Sequence, residues 1–244
     1  MAGTGVDPRR PRRTRTGQNH RVSEISEAFV RLHARLGPVA FVPEVRLHQA
    51  DEPIGLWELT EGEFRSAQPP PFWAFAWAGG QALARYVLDH PETVAGRRVL
   101  DLASGSGLVA VAAARAGAAA VRAVEIDERA VAAVALNAEA NGVRVDAELG
   151  DVLDDPDAGT AEVLLAGDVF YSEAMANRML RFLLRATRAG TRVLVGDPGR
   201  AFLPRDRFTE LAGYDVPVPP ALESVRVRHT TVWELRPGRP RADG

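Results

Sequence analysis

The chain has 244 residues, a mass of 26.3 kDa, 46% hydrophobic and 25% charged residues and a formal net charge of −2, the composition of a soluble globular protein built around one large domain. No run approaches the roughly 18 uninterrupted apolar residues of a membrane helix, and the lack of cysteine excludes disulfides, thiolate metal sites, iron–sulfur clusters and cysteine nucleophiles. All 30 basic residues are arginine, which removes Schiff-base and phosphate-loop lysine chemistry, and the five scattered histidines offer no pair at zinc-binding spacing.

Residues 1–21 carry six arginines against the single acid Asp7, so this segment is +5 and the remainder −7. With almost no apolar residue before Val22 it is read as a disordered basic tail, dispensable, or alternatively a nucleic-acid arm or an organelle transit segment, though it shows no amphipathic period. No apolar signal-peptide core follows, so the chain is expected to be cytoplasmic. Ser23 caps a helix carrying Ile25, Phe29, Leu32 and Leu36 on one face, which Gly37-Pro38 stops. Two short β-like runs follow, Glu44 to His48 and Ile54 to Leu59, and then the segment from Pro69 to Gly80, which holds Trp73 and Trp77. Residues 22–77 thus read as an N-terminal extension to a domain spanning 78–236, with a disordered tail at 237–244.

From Gly80 the pattern becomes regular. A helix runs from Gly80 to His90. Strands at Arg98–Leu102, Ala119–Val124, Arg144–Leu149, Ala161–Ala166 and Thr191–Gly196 alternate with helices at Leu108–Ala116, Glu128–Asn141 and Glu173–Arg188. Such alternation predicts a parallel sheet covered on both faces. Past Arg207 to Leu211 the runs Tyr214–Val218 and Val225–Leu235 read as a closing antiparallel pair.

Between the first strand and its helix lies Val99-Leu-Asp-Leu-Ala-Ser-Gly-Ser-Gly-Leu-Val-Ala110, whose glycines let backbone pass close to a nucleotide-type ligand at the carboxyl end of the sheet. Gly105-Ser-Gly107-Leu-Val-Ala110 also satisfies the dinucleotide fingerprint, with Glu125 about 20 residues on as its ribose acid, so the glycines alone leave a nicotinamide-dependent oxidoreductase open. Asp101 argues the other way. Its carboxylate would repel a pyrophosphate but suits the ammonium and sulfonium of S-adenosylmethionine, unless it merely accepts loop amides. Glu125 is placed to take both ribose hydroxyls, and Asp127 to cap the next helix. Asp151 can accept from an adenine amino group while Val152 packs on the ring, or Asp151 simply makes a turn.

Ala166-Gly-Asp-Val-Phe-Tyr171 ends the fourth strand beside the first, at the switch point where open sheets bind ligands. Asp168 can orient an acceptor N–H, while Phe170, Tyr171 and Trp73 can build a dry aromatic slot; the weaker alternative makes Phe170 and Tyr171 core aromatics. For a lysine acceptor the slot lowers the amine pKa by desolvation, whereas one nearby carboxylate raises it, so positioning suits Asp168 better than general-base work. Gly196-Asp-Pro-Gly-Arg200 is a rigid turn in which Asp197 or Arg200 could meet a substrate.

Together the Pro43–Leu47 run, the Pro71–Tyr86 block, the Leu100–Gly107 loop, Gly167–Tyr171, Gly196–Arg200 and Thr231–Trp233 resemble the class I S-adenosylmethionine-dependent methyltransferases. Among these they are most similar to the protein lysine methyltransferases of the electron transfer flavoprotein β subunit, over about Val42 to Leu235. The resemblance implies a seven-stranded Rossmann-like α/β sheet of order 3-2-1-4-5-7-6. It also implies S-adenosyl-L-methionine as cofactor, with S-adenosyl-L-homocysteine as product, and the electron transfer flavoprotein β subunit as protein substrate. Its implied cofactor-binding set is Trp73, Trp77, Asp101, Ala103, Ser104, Gly105, Ser106, Gly107, Glu125, Ile126, Asp151, Val152, Gly167 and Asp168, with Asp168, Phe170 and Tyr171 facing the acceptor and no metal. Glu125 stands where one member of the family has an aspartate and Asp151 where it has an asparagine; both exchanges keep hydrogen-bond acceptors. Related enzymes act on ribosomal protein or small amines, and a non-catalytic module of the same fold is a further alternative. A nucleic-acid substrate is not expected, because the folded part is acidic and Asp168 stands where basic groups would be wanted.

Overall fold

A computed structural model describes residues 15–51, 55–56, 70–155, 161–219 and 225–237. Helix α1 (Arg15–His33) leads into a hairpin of β1 (Arg35–Pro38) and β2 (Arg46–Gln49). A 3-10 turn, Phe72–Ala74, precedes α2 (Ala78–Asp89). Thereafter strands and helices alternate: β3 (Arg98–Leu102), α3 (Leu108–Arg115), β4 (Ala120–Glu125), α4 (Glu128–Ala140), β5 (Asp146–Leu149), β6 (Val163–Gly167), α5 (Glu173–Arg188) and β7 (Arg192–Asp197). The long strands β8 (Phe208–Pro217) and β9 (Val227–Leu235) close the sheet.

The sheet has seven strands in the order β5-β4-β3-β6-β7-β9-β8, with β8 and β9 antiparallel and the rest parallel. Counted from β3, this is the 3-2-1-4-5-7-6 order expected. Its central strands are buried on both faces, which is why they read as near-continuous apolar runs. Leu100, Leu164, Val193 and Val195 point to the face covered by Met179, Phe182 and Leu183 of α5. Val99, Leu165 and Leu194 point to the other face, under Leu83 and Val87 of α2 and Val109 and Ala113 of α3. The period-2 alternation of each strand therefore feeds two cores.

The extension departs from its sequence reading in three places. Helix α1 begins at Arg15, eight residues before Ser23, because no proline interrupts it there; residues 15–21 are helical, not irregular. It ends at His33, and Gly37-Pro38 lies inside β1 because pairing with β2 captures that segment. The run Ile54–Leu59 falls mostly outside the described residues, and its described members Gly55 and Leu56 are helical. The tail positions 1–14 and 238–244 also lie outside the described residues.

The extension is fastened to α4. Val30, Ala34, Trp73, Ala74 and Phe75 pack on Ala130, Ala133 and Leu136, and the Arg129 guanidinium lies 3.6 Å above the Phe29 ring. Asn137, fully buried, accepts from the His48 amide and from His48 Nδ1, both at 2.8 Å, and donates to the Ser106 carbonyl at 2.8 Å. One side chain thereby joins the hairpin to the loop after β3.

Candidate active site

The carboxyl ends of β3, β4 and β6, the turn after β5, the Phe72–Ala74 turn and the start of α5 enclose a cavity of about 570 Å³. Glycine and αL backbone shape its floor. Ala103 (φ 54°), Gly105 (φ 51°) and Gly107 (φ 76°) alternate through the loop after β3. Gly107 starts α3, and a Cβ there would press on Val134 at 3.1 Å, so only glycine suits both the angle and the space. It packs behind the loop and is absent from the cavity wall, unlike its neighbours Ser104, Gly105 and Ser106, so its expected contact role gives way to a packing one.

Asp101 is 1% exposed, and its Oδ2 accepts the Ala110 amide at 2.9 Å in the first turn of α3. Burial pushes its carboxyl up to about 8, with the neighbouring Glu125 adding to the rise. Glu125 ties down the loop from the next strand: Oε2 accepts Gly105 N at 3.0 Å and Oε1 accepts Ile126 N at 2.7 Å. Burial raises its pKa as well. Both carboxylates keep a lone pair for a ligand. Asp127 does cap α4, accepting Arg129 N at 2.9 Å.

At the far end of the cavity Asp151 accepts Leu153 N at 3.2 Å and pairs with Arg178 of α5 at 3.0 Å, beside the buried Val152. Trp73, 1% exposed, and the half-buried Trp77 line the cavity, as do Gly167 and Ile126, the last 57% exposed at the mouth. Trp77 Nε1 donates to Phe72 O at 3.0 Å. By contrast Trp73 Nε1 and Ser104 Oγ are buried with no hydrogen-bond partner among the described residues.

The third group of residues surrounds Asp168, which takes positive φ (56°) at the end of β6. Its amide donates to Gly196 O at 2.9 Å, its Oδ2 accepts Gly80 N at 3.1 Å and its Oδ1 accepts Arg200 Nη2 at 2.9 Å. Burial pushes the carboxyl up to about 6, with the Arg200 guanidinium pulling against that rise. The left-handed turn redirects the residues that follow. Tyr171 lines the cavity mouth, half exposed, with its ring 5.8 Å from that of Phe72. Phe170 points the other way, wholly buried against Phe208 at 6.0 Å with Leu203 and Leu235. The acceptor-side role expected for Phe170 is therefore corrected to a core role. Sequence reasoning named Arg200 only as a candidate substrate contact in the Gly196–Arg200 turn; its pairing with Asp168 carried no sequence signal.

An aromatic, hydroxyl-bearing cation fits this wall: stacking surfaces from the tryptophans, two buried donors without a partner among the described residues, an acid whose pKa burial holds up, and a size in the usual range of small-molecule sites. The family model for ribosomal protein L11 methyltransferase (PrmA) matches residues 81–181. The electron transfer flavoprotein beta subunit lysine methyltransferase of Danio rerio is 37% identical over 199 residues, covering 80% of this chain and 76% of the relative. That of Xenopus laevis is 34% identical over 215 residues, covering 86% and 87%. This chain belongs to that family. Among solved structures, a putative RNA methyltransferase from Pyrococcus horikoshii shares the fold with a TM-score of 0.53 at 15% identity, covering 74% of this chain and 96% of that one.

As a member of the family it is an S-adenosylmethionine-dependent methyltransferase, and two predictions about its cofactor side follow from the geometry. Replacing Glu125 by Ala removes both the hold on Gly105 and the acceptor for a diol. Affinity for S-adenosylhomocysteine measured by calorimetry should weaken about ten- to a hundredfold, roughly 1.5–3 kcal/mol; unchanged affinity would take Glu125 off the ribose. The second concerns Asp101. An acid at about 8 is mostly protonated at neutral pH, and a bound cation favours its ionised form. S-adenosylmethionine should therefore bind more tightly as pH rises toward about 8, releasing a proton, and Asp101→Asn should flatten that dependence. Calorimetry in two buffers of different ionisation heat measures the released proton; affinity independent of pH would contradict the assignment.

Proposed function

We propose that this methyltransferase acts on lysine side chains of the electron transfer flavoprotein β subunit. The observation that carries the reading is the end of β6, where Asp168 and Tyr171 stand on the cavity wall beside Trp73 and Phe72, an acid inside an aromatic slot suited to holding an extended amine. The names borne by the rat, zebrafish and frog relatives support the same acceptor. S-adenosylmethionine supplies an electrophilic methyl carbon on a sulfonium. Asp101, Glu125, the Ser104–Ser106 loop, Trp73 and Trp77 would hold it. Asp168 accepts from the acceptor N–H and aims its lone pair, and the aromatic slot excludes water and disfavours the ammonium form, leaving the amine free to attack in line. Tyr171 stands at the mouth, where the acceptor side chain enters.

The test is direct. Purified protein, radiolabelled cofactor and recombinant electron transfer flavoprotein β subunit are incubated, and labelled peptides are mapped by mass spectrometry. Label confined to lysine of that subunit supports the reading. Label in ribosomal protein L11, in a small amine or in RNA, with none in the flavoprotein subunit, would replace it. Among the described residues no helix is long and apolar enough to cross a membrane, so the acceptor is sought first among extracted proteins.

A further inference from the structure

The wall around Asp168 contains a charge that the acceptor chemistry does not obviously need. An isolated carboxylate beside a lysine amine favours the ammonium, which has no lone pair to give. The carboxylate here is not isolated. Arg200 Nη2 lies 2.9 Å from Asp168 Oδ1, both groups line the cavity, and their side chains are 23% and 10% exposed. The guanidinium is held in place from behind: Asp197 Oδ1 accepts the Gly199 and Arg200 amides, each at 2.7 Å, clamping the turn that presents Arg200.

From this arrangement we infer that Arg200 is a positioning residue that sets the protonation of the acceptor amine, cancelling the charge of Asp168 while leaving each of its oxygens a second lone pair to orient the N–H. The inference rests on a lysine amine being the acceptor. The other groups packed around Asp168 leave this task to Arg200. Helix α2 contributes only the Gly80 amide. Asp197, at the end of β7, adds negative charge and is itself opposed by Arg200 and Arg205. Glu125 of β4 acts on Asp101 and on Tyr171, the latter kept protonated by burial. Arg178 of α5 is engaged by Asp151 and Asp154 at 3.0 and 2.6 Å. Without Arg200, the incoming ammonium would itself become the counter-ion of Asp168 and rest there as an unreactive ion pair. With it, the amine releases its proton to water at the cavity mouth before attack.

The experiment compares the pH dependence of kcat, at saturating cofactor and acceptor protein, for the wild type, Arg200→Gln and Arg200→Lys. Loss of an opposite charge at this range moves a titration by about 1–3 units. The acidic limb of Arg200→Gln should therefore move to higher pH by at least about 1 unit, with turnover recovering at alkaline pH, while Arg200→Lys keeps the limb near the wild-type position. Calorimetric affinity for S-adenosylhomocysteine should stay within a few-fold in both variants. Replacing the acceptor lysine by thialysine, whose amine is more acidic, should recover part of the Arg200→Gln deficit at neutral pH. Should the glutamine variant fold poorly, Arg200→Met, which also removes the charge, takes its place in both arms. A uniform fall in kcat with the limb unmoved, no gain from thialysine, or loss of S-adenosylhomocysteine binding would each overturn the assignment. A wild-type protein that never labels lysine would instead overturn the acceptor reading on which it rests.

Discussion

Asp168→Asn should lower kcat by about a hundredfold while S-adenosylhomocysteine affinity stays within a few-fold. Asparagine tolerates the positive φ that Asp168 adopts, so the turn survives. It cannot carry the charge, however, and its amide NH₂ must face either Gly80 N or Arg200, both donors to Asp168 in the native arrangement. Alanine is the harsher change, since it strands a partly buried guanidinium at a cost of about 3 kcal/mol. Its activity loss would mix chemistry with folding. Because the carboxyl is pushed up to about 6, wild-type turnover should also decline as pH falls below that value. Kinetics of both variants beside binding calorimetry check the assignment. Collapse of cofactor affinity with turnover intact would move Asp168 to the cofactor side.

Gly79→Ala should be nearly as damaging although the residue touches no ligand. Helix α2 meets the ends of β6 and β7 backbone to backbone. A Cβ on Gly79 would sit 2.5 Å from Asp168 Oδ2 and 2.8 Å from the Gly196 carbonyl carbon, in collision with its oxygen. A Cβ on Gly167 would meet Gly80 N and Cα, both at 2.9 Å. The helix must back away, taking the Gly80 amide off Asp168. Overpacking of this kind costs roughly 1–3 kcal/mol, which for a chain of this size lowers Tm by about 2–12 °C. Turnover should fall by about two orders of magnitude through the displaced acid. Gly37→Ala, where a Cβ meets nothing within 4 Å, is the control and should leave both nearly unchanged. Equal Tm and kcat for Gly79→Ala would mean that the close approach of α2 is not required.

The sheet was legible because its order follows from apolar runs and their spacing, and parallel strands buried on both faces carry a strong signal of that kind. So were the acids at strand ends, Asp101, Glu125 and Asp168, since a charge closing an apolar strand is conspicuous. What sequence could not supply is how those acids divide their oxygens. Glu125 binds Gly105 and Ile126, and Asp101 binds Ala110, contacts set by loop closure in space. Phe170 was grouped with Tyr171 in the aromatic slot because sequence does not show that the left-handed backbone at Asp168 sends the two rings to opposite sides. Arg200 was undervalued because it meets Asp168 across 32 residues of chain, and the hairpin partner of β2 was hidden because β1 contains Gly37 and Pro38, residues that argue against a strand.

The bridge at Asn137 makes the extension and the sheet a single unit of inheritance. A fragment beginning at Ala78 would keep Asn137 but lose both His48 donors, leaving its Oδ1 without the partners that justify its burial. It would also bare the surface of α4 that Trp73 and Phe75 cover, together with Leu108, Val111 and Ala112 of α3, now under Val39, Val42 and Leu47. Such a piece would come out of cells insoluble. Chimaeras made to retarget substrate choice must therefore carry hairpin, tryptophan turn and cofactor loop across together, joining parents after α4 and never ahead of α2.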